Sequence, residues 1–140
     1  MTAAEIIELL ELERHPEGGW YRQTWAADEP GRPSGTAIYF LLAKRESSHW
    51  HRVDAGEIWH FHAGAPLILR LAETSVGPAQ SVALGADLLG GERPQVIVPK
   101  GWWQAAETKG DWTLVSCTVS PGFQFDGFEL APPEFQIPDA

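Results

Sequence analysis

Short runs of β-branched and aromatic residues, separated by glycine and proline, dominate the chain after residue 19. The runs cover residues 20–25, 36–42, 48–52, 57–62, 67–72, 80–84, 95–98, 102–107, 112–119 and 127–130. Runs of this length and composition predict β-strands. None of the eleven prolines falls inside a run, which fits their exclusion from the interior of a sheet. About ten closely spaced strands in one small chain predict an all-β sandwich or barrel.

The first segment has the pattern of an α-helix. Thr2 followed by Glu5 forms a capping box, which marks a helix N-terminus. Pro16 and the pair Gly18-Gly19 end the helical pattern. We therefore expect one helix within residues 1–14, a β-barrel over 15–130 and an extended C-terminal tail over 131–140. Apolar residues recur with helical spacing at Ala3, Ile6, Ile7 and Leu10.

Charge and cysteine content limit the classes of function. The formal net charge is −9, and the ten basic residues are scattered, which excludes a protein that tracks a phosphate backbone and disfavours an anionic membrane surface. The single cysteine, Cys117, cannot form an internal disulfide, and its apolar strand predicts a buried thiol rather than a nucleophile. No signal-like segment precedes the strands. We expect a cytoplasmic protein.

Four of the five histidines lie within fourteen residues, as the pairs His49-Trp-His51 and His60-Phe-His62. In a strand, residues i and i+2 share a face, so two imidazoles of one pair can converge on one ion. The segment Asp54-Ala55-Gly56 has turn composition, which predicts a hairpin that brings Glu57 opposite His49 and His51. Two imidazoles and one carboxylate form the ligand set of a catalytic transition-metal centre. A partly buried polar pair is the alternative interpretation.

Strand alternation assigns the neighbouring aromatic residues. If Glu57 points inward, Trp59 and Phe61 do so as well, while His60 and His62 face outward. Trp102 has the same parity as Gln104. We therefore predict an aromatic ligand pocket formed by Trp59, Phe61 and Trp102. The alternative is that these rings fill a narrow barrel or cover a dimer interface.

Two motifs resemble those of the cupin superfamily. His49-Trp-His51, Glu57 and Gly64 match the first cupin motif, with a slightly long gap before the glutamate. Pro99-Lys-Gly-Trp-Trp-Gln104 is similar to the second motif, with Gln104 at the position of the histidine that serves as fourth metal ligand. The resemblance is closest to the small single-domain cupins of long-unknown function, through residues 15–20, 47–51, 57–64, 99–103 and 119–123.

The resemblance implies a double-stranded β-helix, or jelly-roll barrel, and a homodimer. It implies a site at His49, His51, Glu57 and Gln104 that holds one divalent transition metal, such as Fe, Mn, Ni or Zn. Because glutamine is a weaker transition-metal ligand than histidine, a site without metal is an equal alternative.

Three functions follow from this resemblance, all acting on a small-molecule ligand. One is a metal-dependent enzyme in which His49, His51 and Glu57 are catalytic. Another is a metal-free epimerase or isomerase that uses His49 or His51 as acid and base. The last is a non-catalytic module that binds a sugar nucleotide or another small organic ligand.

Overall fold

The computed structural model describes all 140 residues of the chain. One helix and eleven strands follow one another along it. They are α1 (Ala3–Leu10), β1 (Glu13–Arg14), β2 (Trp20–Ala26), β3 (Thr36–Ala43), β4 (Ser47–Val53), β5 (Gly56–Gly64), β6 (Leu67–Ala72), β7 (Gln80–Leu84), β8 (Gln95–Val98), β9 (Trp103–Thr108), β10 (Trp112–Ser120) and β11 (Phe128–Leu130). A 3₁₀ turn at Phe125–Gly127 precedes β11.

The strands form two antiparallel sheets that face each other. The first has the order β1-β2-β3-β10-β5-β8, and the second has the order β11-β4-β9-β6-β7. Between them lies the main core, in which Phe40, Trp59, Leu69 and Val115 are almost completely buried. The predicted all-β jelly roll with one helix is confirmed.

The hairpin predicted at Asp54-Ala55-Gly56 is wrong. β4 belongs to the second sheet and β5 to the first, so this turn carries the chain across the core instead of reversing it beside itself. Ala55 is buried with Val53 and Val119, and this apolar contact draws the turn inward. Glu57 nevertheless faces the interior from the sheet opposite His51.

The helix covers the part of the first sheet's outer surface around β3. The Thr2 hydroxyl accepts the backbone N–H of Glu5 and the Glu5 carboxylate accepts that of Thr2, so the predicted capping box is present. Ile6 packs on Leu41 and holds the helix to β3. The helix ends earlier than residue 14, because Glu11 adopts a left-handed conformation with φ of 55°.

The C-terminal tail is packed on the second sheet rather than simply extended over the surface. Ile137 is buried in a cluster with Trp50 and Trp103 on the outer face of that sheet. Arg70 lies over the Trp50 ring and donates hydrogen bonds to the Ile137 carbonyl and to Asp139. The tail thus covers apolar surface that strand alternation turns away from the main core.

The helix of this chain is too short to span a membrane. The single helix has eight residues, and none in the structure is long and apolar enough to cross a bilayer.

Candidate functional site

A β-bulge in β4 decides which histidine faces the interior. Ser48 pairs with Ala106 and His51 with Gln104, so three steps along β4 match two along β9. Ser48 and His51 are therefore both turned inward, and His49 is turned away. The His49 Nε2 lies 2.8 Å from the Pro132 carbonyl in the tail. The expectation that His49 and His51 share one face is wrong.

A cavity of about 160 Å³ lies between the sheets near the end where β4 and β5 connect. His51 comes from the second sheet, and Glu57 and Cys117 come from the first. His15 and Glu17, from the loop between β1 and β2, form a further wall. We call this space the central cavity.

His15 and Glu17 reach the central cavity because their loop turns sharply. Gly18 and Gly19 have φ values of 108° and 78°, which favour glycine. A Cβ atom on Gly18 would lie 2.0 Å from the Ser47 carbonyl oxygen, so the loop packs directly on β4. In the sequence, Gly18 and Gly19 are interpreted as helix stops and residues 15–20 as part of the family resemblance, but neither His15 nor Glu17 is predicted as a site residue. The glycine pair is the signal that could have found them.

The tautomer of His51 is fixed by its neighbours. Its Nδ1 donates a hydrogen bond to the His49 carbonyl oxygen at 2.8 Å, so its Nε2 carries the lone pair. That Nε2 lies 3.6 Å from Oε1 of Glu17. Burial lowers the pKa of His51, which keeps the imidazole neutral.

Glu17 lies between two imidazoles. Its Oε1 is 3.3 Å from Nδ1 of His15, and its other oxygen accepts a hydrogen bond from the Ser48 hydroxyl. The His15 Nδ1 accepts the Glu17 backbone N–H at 3.1 Å, so the ring proton of His15 is on Nε2. Burial raises the pKa of Glu17 to about 8 and lowers that of His15 to about 4. At neutral pH both groups are therefore uncharged, with His15 as the neutral imidazole and Glu17 as the protonated acid.

Glu57 is held in place by a chain of buried hydrogen bonds. Trp59 Nε1 donates to Gln104 Oε1 at 2.8 Å, and Gln104 Nε2 donates to Glu57 Oε1 at 2.8 Å. Cys117 lines the same cavity as Glu57. Burial raises the pKa of Glu57 to about 7 and raises that of Cys117 well above its ordinary value. As predicted, the thiol is buried.

The aromatic residues predicted for a ligand pocket lie elsewhere. Trp59 and Phe61 do point inward, but both pack in the main core, as does Trp102. They lie farther along the interior than Glu57, where side chains fill the space. The aromatic rings that line the central cavity are instead Tyr21, Phe123 and Phe125.

The second histidine pair faces outward, as strand alternation predicts. His60 and His62 contact the Thr118 and Ser116 hydroxyls on β10. These hydroxyls alternate with the buried residues Val115 and Cys117. The two pairs therefore do not form one cluster.

Comparison with protein families now identifies the group to which this chain belongs. The model of the family Cupin_5, described as cupin superfamily (DUF985), matches residues 4–131. The chain is a member of this cupin family. No curated protein matches it.

Two solved structures resemble this cupin along nearly its whole length. A crystal structure of a protein from Shewanella oneidensis is 44% identical and has a TM-score of 0.88, and the match covers 94% of this chain and 85% of that one. A hypothetical protein from Leishmania major is 32% identical, with a TM-score of 0.86 and coverage of 94% and 88%. Neither name states an activity.

A more distant neighbour is oxalate decarboxylase from Bacillus subtilis. It is 13% identical with a TM-score of 0.65, and the match covers 84% of the cupin chain but only 29% of the enzyme. That enzyme contains Mn(II) centres. At this identity the likeness shows the shared fold alone.

The donor atoms of this cupin do not fit the transition-metal centre that the motifs imply. His49 lies outside the cavity, and the Gln104 oxygen already accepts the Trp59 N–H. The His15 Nδ1 accepts a backbone N–H, which leaves His51 as the one imidazole with a lone pair toward Glu17. No three His, Cys, Asp or Glu side chains are arranged to hold one ion.

Proposed function

We propose that this cupin is an enzyme that moves a proton on a small organic molecule bound in the central cavity. The observation that carries the proposal is the orientation of His51. Its Nδ1 proton is engaged by the His49 carbonyl, so the lone pair on Nε2 is directed toward Glu17 and is available as a base. Of the functions that the motifs imply, this supports a metal-free isomerase or epimerase.

The pair of Glu17 and His51 is suited to acid–base chemistry at a carbon next to a carbonyl group. His51 Nε2 takes the proton from that carbon, and the electron pair of the broken C–H bond moves to the carbonyl oxygen. Glu17, which holds a proton at neutral pH because burial raises its pKa to about 8, gives that proton to the oxygen. Where the carbon carries a hydroxyl group, His51 then returns its proton to the former carbonyl carbon while Glu17 takes the proton of that hydroxyl, which completes isomerisation and regenerates both groups.

The charges left on the protein stabilise this step. When His51 gains a proton and Glu17 loses one, the two groups form an ion pair across 3.6 Å. The net charge of the cavity does not change, and an ion pair is strongest where water is scarce. Proton transfer of this kind contributes roughly 10²–10⁴-fold to a rate.

Exchange of hydrogen for deuterium tests the proposal without knowledge of the product. The protein is incubated in D₂O with EDTA and a panel of small hydroxy and amino ketones and aldehydes, and loss of the C–H signal is followed by NMR. We expect catalysed exchange with at least one compound. His51→Ala is expected to lower the rate by about 100-fold or more.

His49→Ala is the matched control, because it removes the other imidazole of the same motif from outside the cavity. We expect it to retain most of the exchange rate. Equal loss in both variants, or exchange that requires added Mn²⁺ or Zn²⁺, would contradict the assignment. A compound that binds tightly without exchange would favour the non-catalytic binding module.

We also propose that the protein is a homodimer that associates through the outer face of the first sheet. This proposal is supported by Trp25 and Ile97, whose residues are 54% and 62% exposed; large apolar residues on a surface are typical of interfaces. Light scattering after gel filtration should give twice the mass of one chain, and Trp25→Glu should lower it. A wild-type monomer would refute the proposal.

A further inference from the structure

The ionisable groups of the central cavity can give it negative charge but no balancing permanent positive charge. Two carboxyl groups, Glu17 and Glu57, line it, and no lysine or arginine does. The arginines next in sequence to lining residues form ion pairs elsewhere: Arg14 with Glu46, Arg22 with Glu11 and Arg52 with Glu129. The interior therefore offers nothing that would balance the charge of a phosphate or carboxylate ligand.

The polar atoms at the centre of the cavity are mainly hydrogen-bond acceptors. The lone pair of His51 Nε2 and Oε1 of Glu17 lie 3.6 Å apart. Glu57 receives one hydrogen bond from Gln104, and a carboxylate can accept about four. A ligand that fits these atoms must supply several N–H or O–H donors from one small group.

The size and the aromatic wall of the cavity restrict the ligand further. A space of about 160 Å³ corresponds to roughly five water molecules in the liquid, and it is below the range of about 300–1,000 Å³ for drug-sized ligands. A sugar nucleotide does not fit in it. Phe123 and Phe125, whose ring centres are 5.0 Å apart, line the cavity together with Tyr21, and aromatic faces attract cations.

We propose that the central cavity binds a small organic cation, whose primary ammonium group donates hydrogen bonds to Glu57 and leaves Glu17 and His51 free to act on a neighbouring carbonyl group. An ammonium group has three donors and no acceptor, which matches the lone pairs that Glu57 has left beside the Gln104 hydrogen bond. The apolar part of the ligand then lies against Phe123 and Phe125. This inference concerns the same cavity as the proposed enzyme and names its substrate class, but it does not require that a proton be moved.

Three ligands of one shape and different charge provide the test: benzylamine, benzyl alcohol and benzoate. Binding to the full-length protein is measured by calorimetry at neutral pH in the presence of EDTA. Charge-assisted hydrogen bonds are about twice as strong as neutral ones, so we expect benzylamine to bind at least about tenfold more tightly than benzyl alcohol. Benzoate is expected to bind most weakly.

Two substitutions test whether Glu57 causes the preference for benzylamine. Glu57→Gln keeps the shape of the side chain and removes its charge, so we expect it to lower the preference for benzylamine about tenfold or more. Glu8→Gln removes the same charge from an exposed position on α1 and should leave the preference unchanged. Unfolding temperatures of both variants show that the fold is kept.

The inference is overturned if benzoate binds as tightly as benzylamine, or if stoichiometric Mn²⁺ or Zn²⁺ prevents benzylamine from binding. It is also overturned if Glu8→Gln lowers the preference for benzylamine over benzyl alcohol as much as Glu57→Gln does. Its failure is separable from that of the proposed function. Deuterium exchange lost in His51→Ala with no preference for the amine would retain the enzyme and reject the substrate class. A preference for the amine without deuterium exchange on any compound would retain the ligand class and reject the enzyme.

Discussion

Gln104 has a different role from the metal ligand whose motif position it occupies. An amide can donate and accept at the same time, and Gln104 uses both abilities by accepting from Trp59 and donating to Glu57. All three side chains are buried. The residue thus orients Glu57 toward the cavity while it satisfies the indole N–H in the core.

Replacement of Gln104 by leucine should reveal this role. Gln104→Leu leaves the Trp59 N–H and a Glu57 oxygen buried without partners, and each such group costs about 1–3 kcal/mol. We expect the free energy of unfolding in urea to fall by roughly 2–4 kcal/mol. Gln95→Leu, on the exposed side of β8, should change it by no more than about 0.5 kcal/mol. Similar losses in the two variants would show that the hydrogen-bond chain is unimportant.

The histidine motif shows what a sequence can and cannot predict at single residues. Period-two alternation correctly turned Glu57 inward and His60 and His62 outward. It failed at His49, because a bulge shifts the alternation and depends on how β4 pairs with β9. Pairing between strands more than fifty residues apart is a property of the whole fold, and no local pattern around His49 records it.

Among the elements, the loop between β1 and β2 contributes most to the site in proportion to its length. It has no regular structure, yet it places His15 and Glu17 against His51. The His49 backbone N–H donates to the Glu17 carbonyl at 2.8 Å, which ties the loop to β4. The close approach of Gly18 to Ser47 makes this contact possible.

Two glycine substitutions separate the packing of this loop from its backbone conformation. Gly18→Ala must displace the loop, because the new Cβ would be 2.0 Å from the Ser47 oxygen. Gly31 also has a positive φ, 74°, but nothing lies within 4 Å of its Cβ position, so Gly31→Ala should cost only about 1–2 kcal/mol. We expect Gly18→Ala to lower stability more than Gly31→Ala does, as measured by thermal unfolding. We also expect it to abolish the binding of benzylamine, as measured by calorimetry. Unchanged binding in Gly18→Ala would refute the role of the loop.

Most strands were predictable, because each carries its own signal of β-branched and aromatic residues between glycines and prolines. β6, β7 and β8 have the bounds that the sequence indicates. The two-residue strand β1 was not predicted, since its pairing with β2 rather than its composition defines it. The turn at Asp54-Ala55-Gly56 was predicted as a turn, but its crossing between sheets depends on the burial of Ala55 against distant residues.

For the molecule as a whole, the buried acids and histidines oppose each other in their effect on stability. Glu17 has a folded pKa of about 8 and Glu57 of about 7, above an ordinary value of 4.5. His15 has a folded pKa of about 4, below its ordinary 6.5. Burial also lowers the pKa of His51, so between about pH 4.5 and 6.5 the folded state holds extra protons on two acids and lacks protons on two histidines, and these effects largely cancel.

Outside this pH range, either the acids alone or the histidines alone make the free energy of unfolding depend on pH. Above about pH 6.5 the unfolded chain has released the Glu17 and Glu57 protons, whereas the folded protein keeps that of Glu57 up to about pH 7 and that of Glu17 up to about pH 8. Unfolding becomes easier by up to about 1.4 kcal/mol per pH unit for each group. Below about pH 4.5 His15 acts in the other direction, and stability falls as the pH falls.

Unfolding in urea as a function of pH, with EDTA present, measures this profile. We expect a plateau between about pH 4.5 and 6.5 and a decline on both sides. Glu17→Gln cannot lose a proton, so its decline above pH 6.5 should be shallower than that of the wild type. An identical alkaline slope in the two proteins would show that Glu17 does not titrate in this window.

The crossing between β4 and β5 places the halves of the site in different layers. His51 belongs to one sheet and Glu57 to the other, so the distance between them varies with the gap between the sheets. Slight loosening of the sandwich, while every strand is still paired, is enough to separate the acceptors that a ligand must bridge. Ligand binding will therefore be lost at lower urea concentrations than strand structure. The affinity for the ligand thus reports the spacing between the two sheets.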